Sequence, residues 1–183
     1  MKKSIIFTLI LVITLFSFTS FVGFEKSSMD TPGRIEFIGE AGSPNVFTFQ
    51  KWNFEEVSVP DGDFEQVQLS LSIHTGSLKT EWKDLEKSIR KKKDYFYAKK
   101  FPKATVAIDG AQKQADGSYK TEAILTLKGV SKPVELTFRV SDSAPYQVEG
   151  EGVIIRQKFK FTGGGPKNEV PVKFNVTLPG IGK

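Results

Sequence analysis

The chain has 183 residues, with 26 basic and 21 acidic side chains and no cysteine. This length fits a single domain. Without cysteine, a disulfide framework and lipid attachment to an N-terminal cysteine are excluded, so an ordinary apolar core must hold the fold.

The N-terminal stretch is typical of an export signal. Lys2 and Lys3 precede 21 residues that carry no charge. A short basic start before such a run predicts a secretory signal over residues 1–23, cleaved between Ser20 and Ser27, and a periplasmic domain over residues 24–183. The alternative is an uncleaved membrane anchor, because the uncharged run is long enough to cross a bilayer. Removal of residues 1–23 would lower the net charge from +5 to +3.

Eight segments predict β-strands, because apolar and polar residues alternate within them and turn residues separate them. In chain order they are Arg34–Glu40, Val46–Phe54, Val67–Ile73, Ala104–Ile108, Tyr119–Leu127, Val134–Val140, Tyr146–Ile155 and Val170–Leu178. The parity of the apolar residues changes between Phe49 and Trp52, which predicts a β-bulge in the second strand. The pair Asp116-Gly117 predicts a tight hairpin.

The segment from Glu81 to Lys100 breaks this strand pattern. Trp82, Leu85 and Ile89 recur at i, i+3 and i+7, which is the spacing of one helical face. A second short turn is predicted around residues 94–98. The chain therefore combines eight strands with one short helical insertion after the third strand.

Regularly alternating antiparallel strands in this number indicate a closed barrel or a sandwich. The interior of an eight-stranded barrel is either filled by side chains or wide enough for one small ligand. The side chains predicted to face inward are almost all uncharged, so any cavity is expected to be apolar. The alternation predicts that this cavity is lined by Phe37, Phe47, Phe49, Leu69, Leu71, Val106, Leu136, Phe138 and Phe174.

Four stretches follow one another in a specific order: VQLSLSIHTGSLKT, DLEKSIRKKKDYFYAKKFPKATVAI, DGSYKTEAILTLKGVSKPVELTFRV and IIRQKFKF. Taken together, they resemble the YceI-like family of exported bacterial proteins. The resemblance covers about residues 34–178. It implies an all-β, eight-stranded, antiparallel lipocalin-like barrel. The family commonly carries a histidine in the helical insertion, whereas this chain reads Glu86, Ser88, Ile89 and Arg90 there, so a role tied to that histidine is not expected.

The resemblance also implies that the barrel binds a long isoprenoid or a similar amphiphilic lipid. We expect the protein to store or transport this lipid, with transient membrane contact. No cofactor other than a bound lipid is expected. An alternative from another class is an envelope stress or structural accessory protein that acts through a protein partner and has a filled interior. The oligomeric state is left open.

The stretch RKKKDYFYAKKFPKATVAIDG combines cations with aromatic residues, as nucleic-acid platforms do. Its place between the helix and a barrel strand favours a lid over nucleic-acid binding. The lid is predicted to consist of Trp82, Leu85, Ile89, Phe96 and Phe101. Arg90, Lys91, Lys92 and Lys93 then lie at the rim, either as a solvated face or as contacts to an anionic head group.

Arg156 is a further candidate for a polar ligand contact, although a local ion pair is its alternative role. His74 is the only histidine. A transition-metal site or a nucleophilic triad would need partners that this sequence does not supply in a recognisable motif. The sequence therefore predicts a binding protein without catalytic residues.

Overall fold

The structure is a computed structural model that describes residues 33–39, 45–164 and 168–180. The predicted export signal, its cleavage site and the alternative anchor lie outside these residues. The described strands are β1 (Gly33–Ile38), β2 (Val46–Phe49), β3 (Trp52–Ser58), β4 (Gln68–His74), β5 (Leu78–Lys79), β6 (Lys103–Asp109), β7 (Gln112–Lys113), β8 (Tyr119–Leu127), β9 (Val130–Val140), β10 (Gln147–Ile155) and β11 (Glu169–Thr177), and the helix is α1 (Lys83–Lys91). Within the described ranges, no helix combines the length and apolarity that a bilayer crossing requires.

The strands form one curled antiparallel sheet in the order β3-β4-β6-β8-β9-β10-β11-β1-β2-β5, with β7 beside β8. Only Gln50 and Lys51 separate β2 from β3, and a 3-10 turn over Thr75–Ser77 separates β4 from β5. Pairing continues across both breaks, because Gln50 N donates to Ser77 O at 3.3 Å and His74 N donates to Lys51 O at 2.9 Å. The two ends of the sheet path thus belong to two long, bent and paired strands, and the pairing runs around the whole barrel.

This arrangement confirms the predicted fold class and changes its details. One of the eight predicted strands, Val46–Phe54, is divided by a bend into β2 and β3. The short β5 and β7 lie outside the predicted strands, which gives eleven strands in all. Between Phe49 and Trp52 the strand is interrupted, and the register shift lies instead between Phe54 and Glu56. The bend carries the chain from pairing with β1 and β5 to pairing with β4.

One end of the barrel is closed by an aromatic plug around Phe64, which is 3% exposed. Its ring lies 5.8 Å from that of Tyr119 and 5.2 Å from that of Tyr146, and the Tyr119 ring stacks on Phe138 at 5.4 Å. Phe64 begins a 3-10 turn that Asp63 caps by accepting from Glu65 N at 2.9 Å. The turn following Pro60 therefore places an apolar stopper in this end of the barrel.

Gly150 on β10 gives room for large side chains in the interior of the barrel. A Cβ added at Gly150 would lie 2.6 Å from Thr137 O and 2.7 Å from Phe138 Cβ, and it would collide with the Phe174 ring. The obstructing carbonyl belongs to the neighbouring strand and cannot move without disturbing the ladder. The absence of a side chain at Gly150 is therefore a packing requirement of the barrel.

Opposite the plug, α1 is anchored to β5 by a buried carboxylate. Glu86 is 7% exposed, and its Oε1 lies 3.2 Å from Arg90 Nη2 and 3.4 Å from Lys79 Nζ. Arg90 Nη1 also donates to Gly76 O at 3.1 Å. The helix ends at Lys91, because Lys92 is extended, and the chain continues in turns to residue 100. The helical part of the insertion is therefore shorter than the predicted 81–100 segment.

The turn after α1 is joined to a second loop by a set of bonds that we call the clasp, formed between residues 93–96 and 160–164. Thr162 N and Gly163 N donate to Asp94 O at 3.1 and 3.2 Å. Thr162 Oγ1 donates to Asp94 Oδ1 at 2.8 Å, and Tyr95 OH donates to Gly164 O at 2.6 Å. Backbone and side-chain bonds thus fix both loops to each other at the end of the barrel opposite the plug.

Lys128 completes the clasp from a third element. It occupies the two-residue turn between β8 and β9 with φ of 52°, and Gly129 follows with φ of 71°, as a tight hairpin turn requires. Lys128 is 6% exposed, and its Nζ donates to Lys93 O at 2.8 Å and to Lys160 O at 2.6 Å. Burial lowers the pKa of Lys128, and the nearby Asp94 carboxylate partly opposes this effect.

We expect Gly150→Ala to lower the free energy of unfolding by about 1–3 kcal/mol, because the added methyl group overpacks the interior against a backbone carbonyl. Denaturant titration measures the change. Gly164→Ala is the matched control, since a Cβ at Gly164 meets no atom within 4 Å. Equal stabilities of the two variants would contradict this account of the packing.

We expect Lys128→Met to lower the free energy of unfolding by about 2 kcal/mol or more, because two carbonyls lose a charged donor. Hydrogen exchange should accelerate at Thr162 and Gly163, whose amides belong to the clasp. Lys132→Met, on the exposed side of the same hairpin, is the control. Unchanged exchange at both amides in Lys128→Met would show that Lys128 does not hold the clasp.

Candidate functional site

The barrel encloses a cavity of about 410 Å³ between the aromatic plug and α1. Its lining comes from β1, β2, β3, β4, β6, β8, β9, β10 and β11, and nearly all of the lining side chains are apolar. The structure places all nine side chains predicted to line a cavity on this one: Phe37, Phe47, Phe49, Leu69, Leu71, Val106, Leu136, Phe138 and Phe174. That these side chains bind a lipid stays a prediction.

The phenylalanines gather at the end of the cavity below α1. The Phe37 ring stacks on Phe47 at 4.7 Å and lies 5.9 Å from Phe49. Phe96 meets Phe49 edge to face at 5.7 Å and Phe161 edge to face at 5.1 Å. This ring cluster joins the first two strands to the turn after α1, so the insertion is packed into the cavity wall.

Three of the five predicted lid residues line the cavity, namely Leu85, Ile89 and Phe96. Trp82 does not, and it is 64% exposed. It precedes α1 in an extended conformation, so the helical spacing that relates Leu85 to Ile89 does not extend back to it. The prediction for Trp82 is therefore wrong.

Phe101 is not part of the lining either. Tyr97 has φ of 48°, and the chain turns there before entering β6. The Phe101 ring packs at 6.3 Å from the Tyr97 ring, and Lys100 Nζ lies 5.3 Å from its centre. Phe101 thus packs outside the cavity, contrary to its predicted place on the inner edge of the lid.

The lining includes few polar side chains: Glu36, Asn45, Tyr95, Arg156 and Lys173. Arg156 begins a 3-10 turn directly after β10, and its Nη1 donates to Gly163 O at 2.8 Å. The guanidinium is thus bonded to a nearby backbone carbonyl, while the residue also borders the cavity. Both predicted roles of Arg156, the ligand contact and the ion pair, stay predictions. Burial in an apolar setting strengthens any bond to its charge.

The four predicted rim cations do not line the cavity. Arg90 is bound to Glu86 and Gly76 O, as described above, and Lys91, Lys92 and Lys93 have exposed side chains. Arg156 lines the cavity, whereas these four cations do not. Contact between them and the head group of a lipid held inside the barrel is not supported by this placement.

The sequence analysis missed several residues that line the cavity, of which Tyr95 and Phe161 are the most informative. Both line the cavity, and Tyr95 also belongs to the clasp. The adjacent aromatic pair Tyr95-Phe96 was a usable signal. Phe161 lies beyond the last strand residue of its region, where no periodicity indicates which way a side chain faces.

His74 lies exposed at the end of β4, away from the cavity lining. Among the residues that the structure describes, no group of three or more histidine, cysteine, aspartate or glutamate side chains could hold a metal ion.

The sequence matches the YceI-like domain family over residues 20–178. BcnA of Burkholderia cenocepacia has a similar structure, with a TM-score of 0.69 and 20% identity over 80% of this chain and 96% of BcnA. The Campylobacter jejuni YceI protein gives a TM-score of 0.61 and 20% identity over 72% of this chain and 82% of its own.

A third similar structure is a polyisoprenoid binding domain from Saccharophagus degradans, implicated in plant cell wall breakdown. Its TM-score is 0.61, with 14% identity over 81% of this chain and 94% of that domain. At these identities the solved structures show a shared fold. No curated protein matches the sequence. The family match spans most of the chain and agrees with the observed barrel, and the chain therefore belongs to the YceI-like domain family.

Proposed function

We propose that this protein binds an apolar, isoprenoid-like lipid inside its barrel and stores or carries it without catalysing a reaction. The observation that carries the proposal is the apolar lining of the 410 Å³ cavity, closed by a plug at one end and covered by α1 at the other. Moving apolar surface from water into such a cavity gains about 25 cal/mol per Å². A lipid chain can therefore bind tightly with few polar contacts.

Two further observations support a lipid as the ligand. The cavity volume falls within the range of about 300–1,000 Å³ that is common for sites of small molecules. The similar domain from Saccharophagus degradans is described as binding polyisoprenoids. A filled interior, as the alternative of a purely protein-binding accessory assumes, does not agree with a cavity of this volume.

The proposal places the protein in the periplasm, with residues 1–23 as its export signal and residues 24–183 as its lipid-binding domain. Lys2, Lys3 and the uncharged run after them support export. The bound lipid is the only non-protein component proposed. The isolated position of His74 supports a non-catalytic role, because acid–base and nucleophilic catalysis need convergent groups.

Native mass spectrometry of the purified protein, followed by solvent extraction, tests the proposal. We expect a mass increment that organic solvent removes and that fragments as an isoprenoid-like chain. Val106→Phe should reduce this occupancy at least about tenfold, since a ring added to the cavity wall takes the space of the ligand.

The control is Ala107→Phe, because Ala107 is exposed on the other face of the same strand. It should retain the occupancy of the unmodified protein. Equal occupancy in the two variants, or no extractable lipid in either the variants or the unmodified protein, would contradict lipid binding in the barrel.

The inner face of α1 should control how fast the lipid leaves. Leu85 and Ile89 line the cavity, so Leu85→Ala with Ile89→Ala removes apolar contacts to both the ligand and the wall. We expect the dissociation rate of a fluorescent isoprenoid to rise about tenfold. Asp84→Ala with Lys87→Ala, an exposed pair on the same helix, preserves net charge and serves as the control. Identical release from both double variants would show that α1 does not retain the lipid.

A further inference from the structure

The segment from Lys79 to Lys100 has two chemically different faces. Its inner side chains Leu85, Ile89 and Phe96 line the cavity, as shown above. Its outward side chains include Lys83, Lys87 and Lys91, which are all exposed and recur every four residues along α1. Residues at this spacing lie on the same side of a helix, so the three lysines form one stripe.

The charge of the whole chain is concentrated in this segment. Residues 79–100 hold nine basic and four acidic side chains, a net charge of +5, which equals the net charge of the 183-residue chain. One of the four acidic groups, Glu86, is buried against Arg90. Asp94 is bonded to Thr162 in the clasp. Glu81 and Asp84 are exposed, and they only partly offset the surrounding lysines.

An exposed tryptophan precedes the first lysine of this stripe in the chain. Trp82 is 64% exposed and directly precedes Lys83, whereas Trp52, the second tryptophan of the chain, is 4% exposed. Large aromatic side chains are costly to leave in water, and tryptophan favours the boundary between head groups and acyl chains. A lysine stripe with an adjacent tryptophan is the composition of a helix that lies on a bilayer surface.

We propose that this outer face, formed by Trp82, Lys83, Lys87, Lys91, Lys92 and Lys93, docks the barrel on an anionic phospholipid bilayer. Lysines attract anionic lipids, and Trp82 inserts at the level of the head groups. The same helix then has one side on the membrane and the other on the cavity. The inference rests on the proposed function, because it makes the bilayer the place where the barrel takes up or delivers its lipid.

Positive charge alone also fits an acidic protein or a nucleic acid. The exposed Trp82 favours a bilayer, because a partner that binds only through charge offers no apolar environment for the indole ring. The location of the face on the cavity cover favours it as well, because the proposed ligand itself resides in membranes. A bilayer is therefore the proposed partner of this face, and the test below distinguishes it from an acidic protein and from a nucleic acid.

Sedimentation with vesicles of phosphatidylcholine and phosphatidylglycerol in about a 2:1 ratio measures this docking, with pure phosphatidylcholine vesicles as the reference. The full chain is used throughout, so that the residues before the barrel are the same in every variant. Lys87→Gln with Lys91→Gln should weaken binding to the anionic vesicles about 20-fold, as expected for two lysines near a charged surface. Lys113→Gln with Lys120→Gln, the same charge change on β7 and β8, should leave binding within about twofold of the unmodified protein.

Tryptophan emission provides a second readout, because only Trp82 is exposed to respond. We expect a shift to shorter wavelength on addition of anionic vesicles, and loss of that shift in Trp82→Phe. Raised salt should weaken binding of the unmodified protein more than that of Lys87→Gln with Lys91→Gln. The inference would be overturned if the two double lysine variants bound the anionic vesicles equally, or if the emission of the unmodified protein did not shift. It would also be overturned if the protein captured an acidic protein or a nucleic acid in preference to vesicles.

Native mass spectrometry on the same samples separates this inference from the proposed function. A protein that holds lipid but does not bind vesicles refutes only the docking face. A protein that binds vesicles through Lys87 and Lys91 but never holds lipid refutes only the proposed lipid binding.

Discussion

The antiparallel pairing that curls the sheet into a barrel is the constraint on which the cavity depends. A sheet with two free edges would expose unpaired backbone groups and let water reach its concave face. Here the bends at Gln50–Lys51 and Thr75–Ser77 let two strands change partners while Gln50 and His74 keep the ladder bonded. An apolar interior can then remain partly empty, because its walls are held by backbone bonds instead of by side chains meeting at the centre.

The cavity must also be covered at both ends of the barrel, and the chain covers the two ends in different ways. At the plug, Phe64 is almost fully buried among aromatic neighbours, which makes that end a fixed part of the core. At the other end, α1 is nine residues long and is held by polar bonds from Glu86, Arg90 and the clasp, together with apolar contacts of Leu85, Ile89 and Phe96. These contacts lie outside the strand ladder, so displacement of α1 would leave the strand pairing intact.

The sequence was most informative where periodicity alone decides which way a side chain faces. Strand alternation placed all nine predicted residues on the cavity side, since successive side chains of a strand point to opposite faces and a curled sheet has only one concave face. Helical periodicity failed at Trp82, because α1 begins only at Lys83 and Trp82 is extended. It also failed at Phe101, where the positive φ of Tyr97 redirects the chain.

The remaining features depend on contacts between distant parts of the chain. Lys128 reads as an ordinary turn residue, and its burial follows from carbonyls 35 and 32 residues away. Arg90 reads as one cation in a run of four, and its bonds to Glu86 and to Gly76 O distinguish it from the exposed lysines beside it. Neither local propensity nor charge patterning carries that information, because both describe neighbours along the chain and not across the fold.

The two faces of α1 both bear on the cost of exposing an isoprenoid chain to water. Each CH₂ exposed to water costs about 0.8 kcal/mol, so even a single five-carbon isoprenoid unit costs about 3–4 kcal/mol outside a membrane or a protein cavity. A chain of several such units cannot diffuse through water at a useful rate, and a carrier must therefore receive it while in contact with the bilayer. In the proposed arrangement the lysine stripe brings the cavity cover to the membrane, while Leu85 and Ile89 on its inner side give way to the lipid. The local charge, for which sequence analysis left a solvated face and a head-group contact open, then acts one step earlier, on the surface from which the lipid comes.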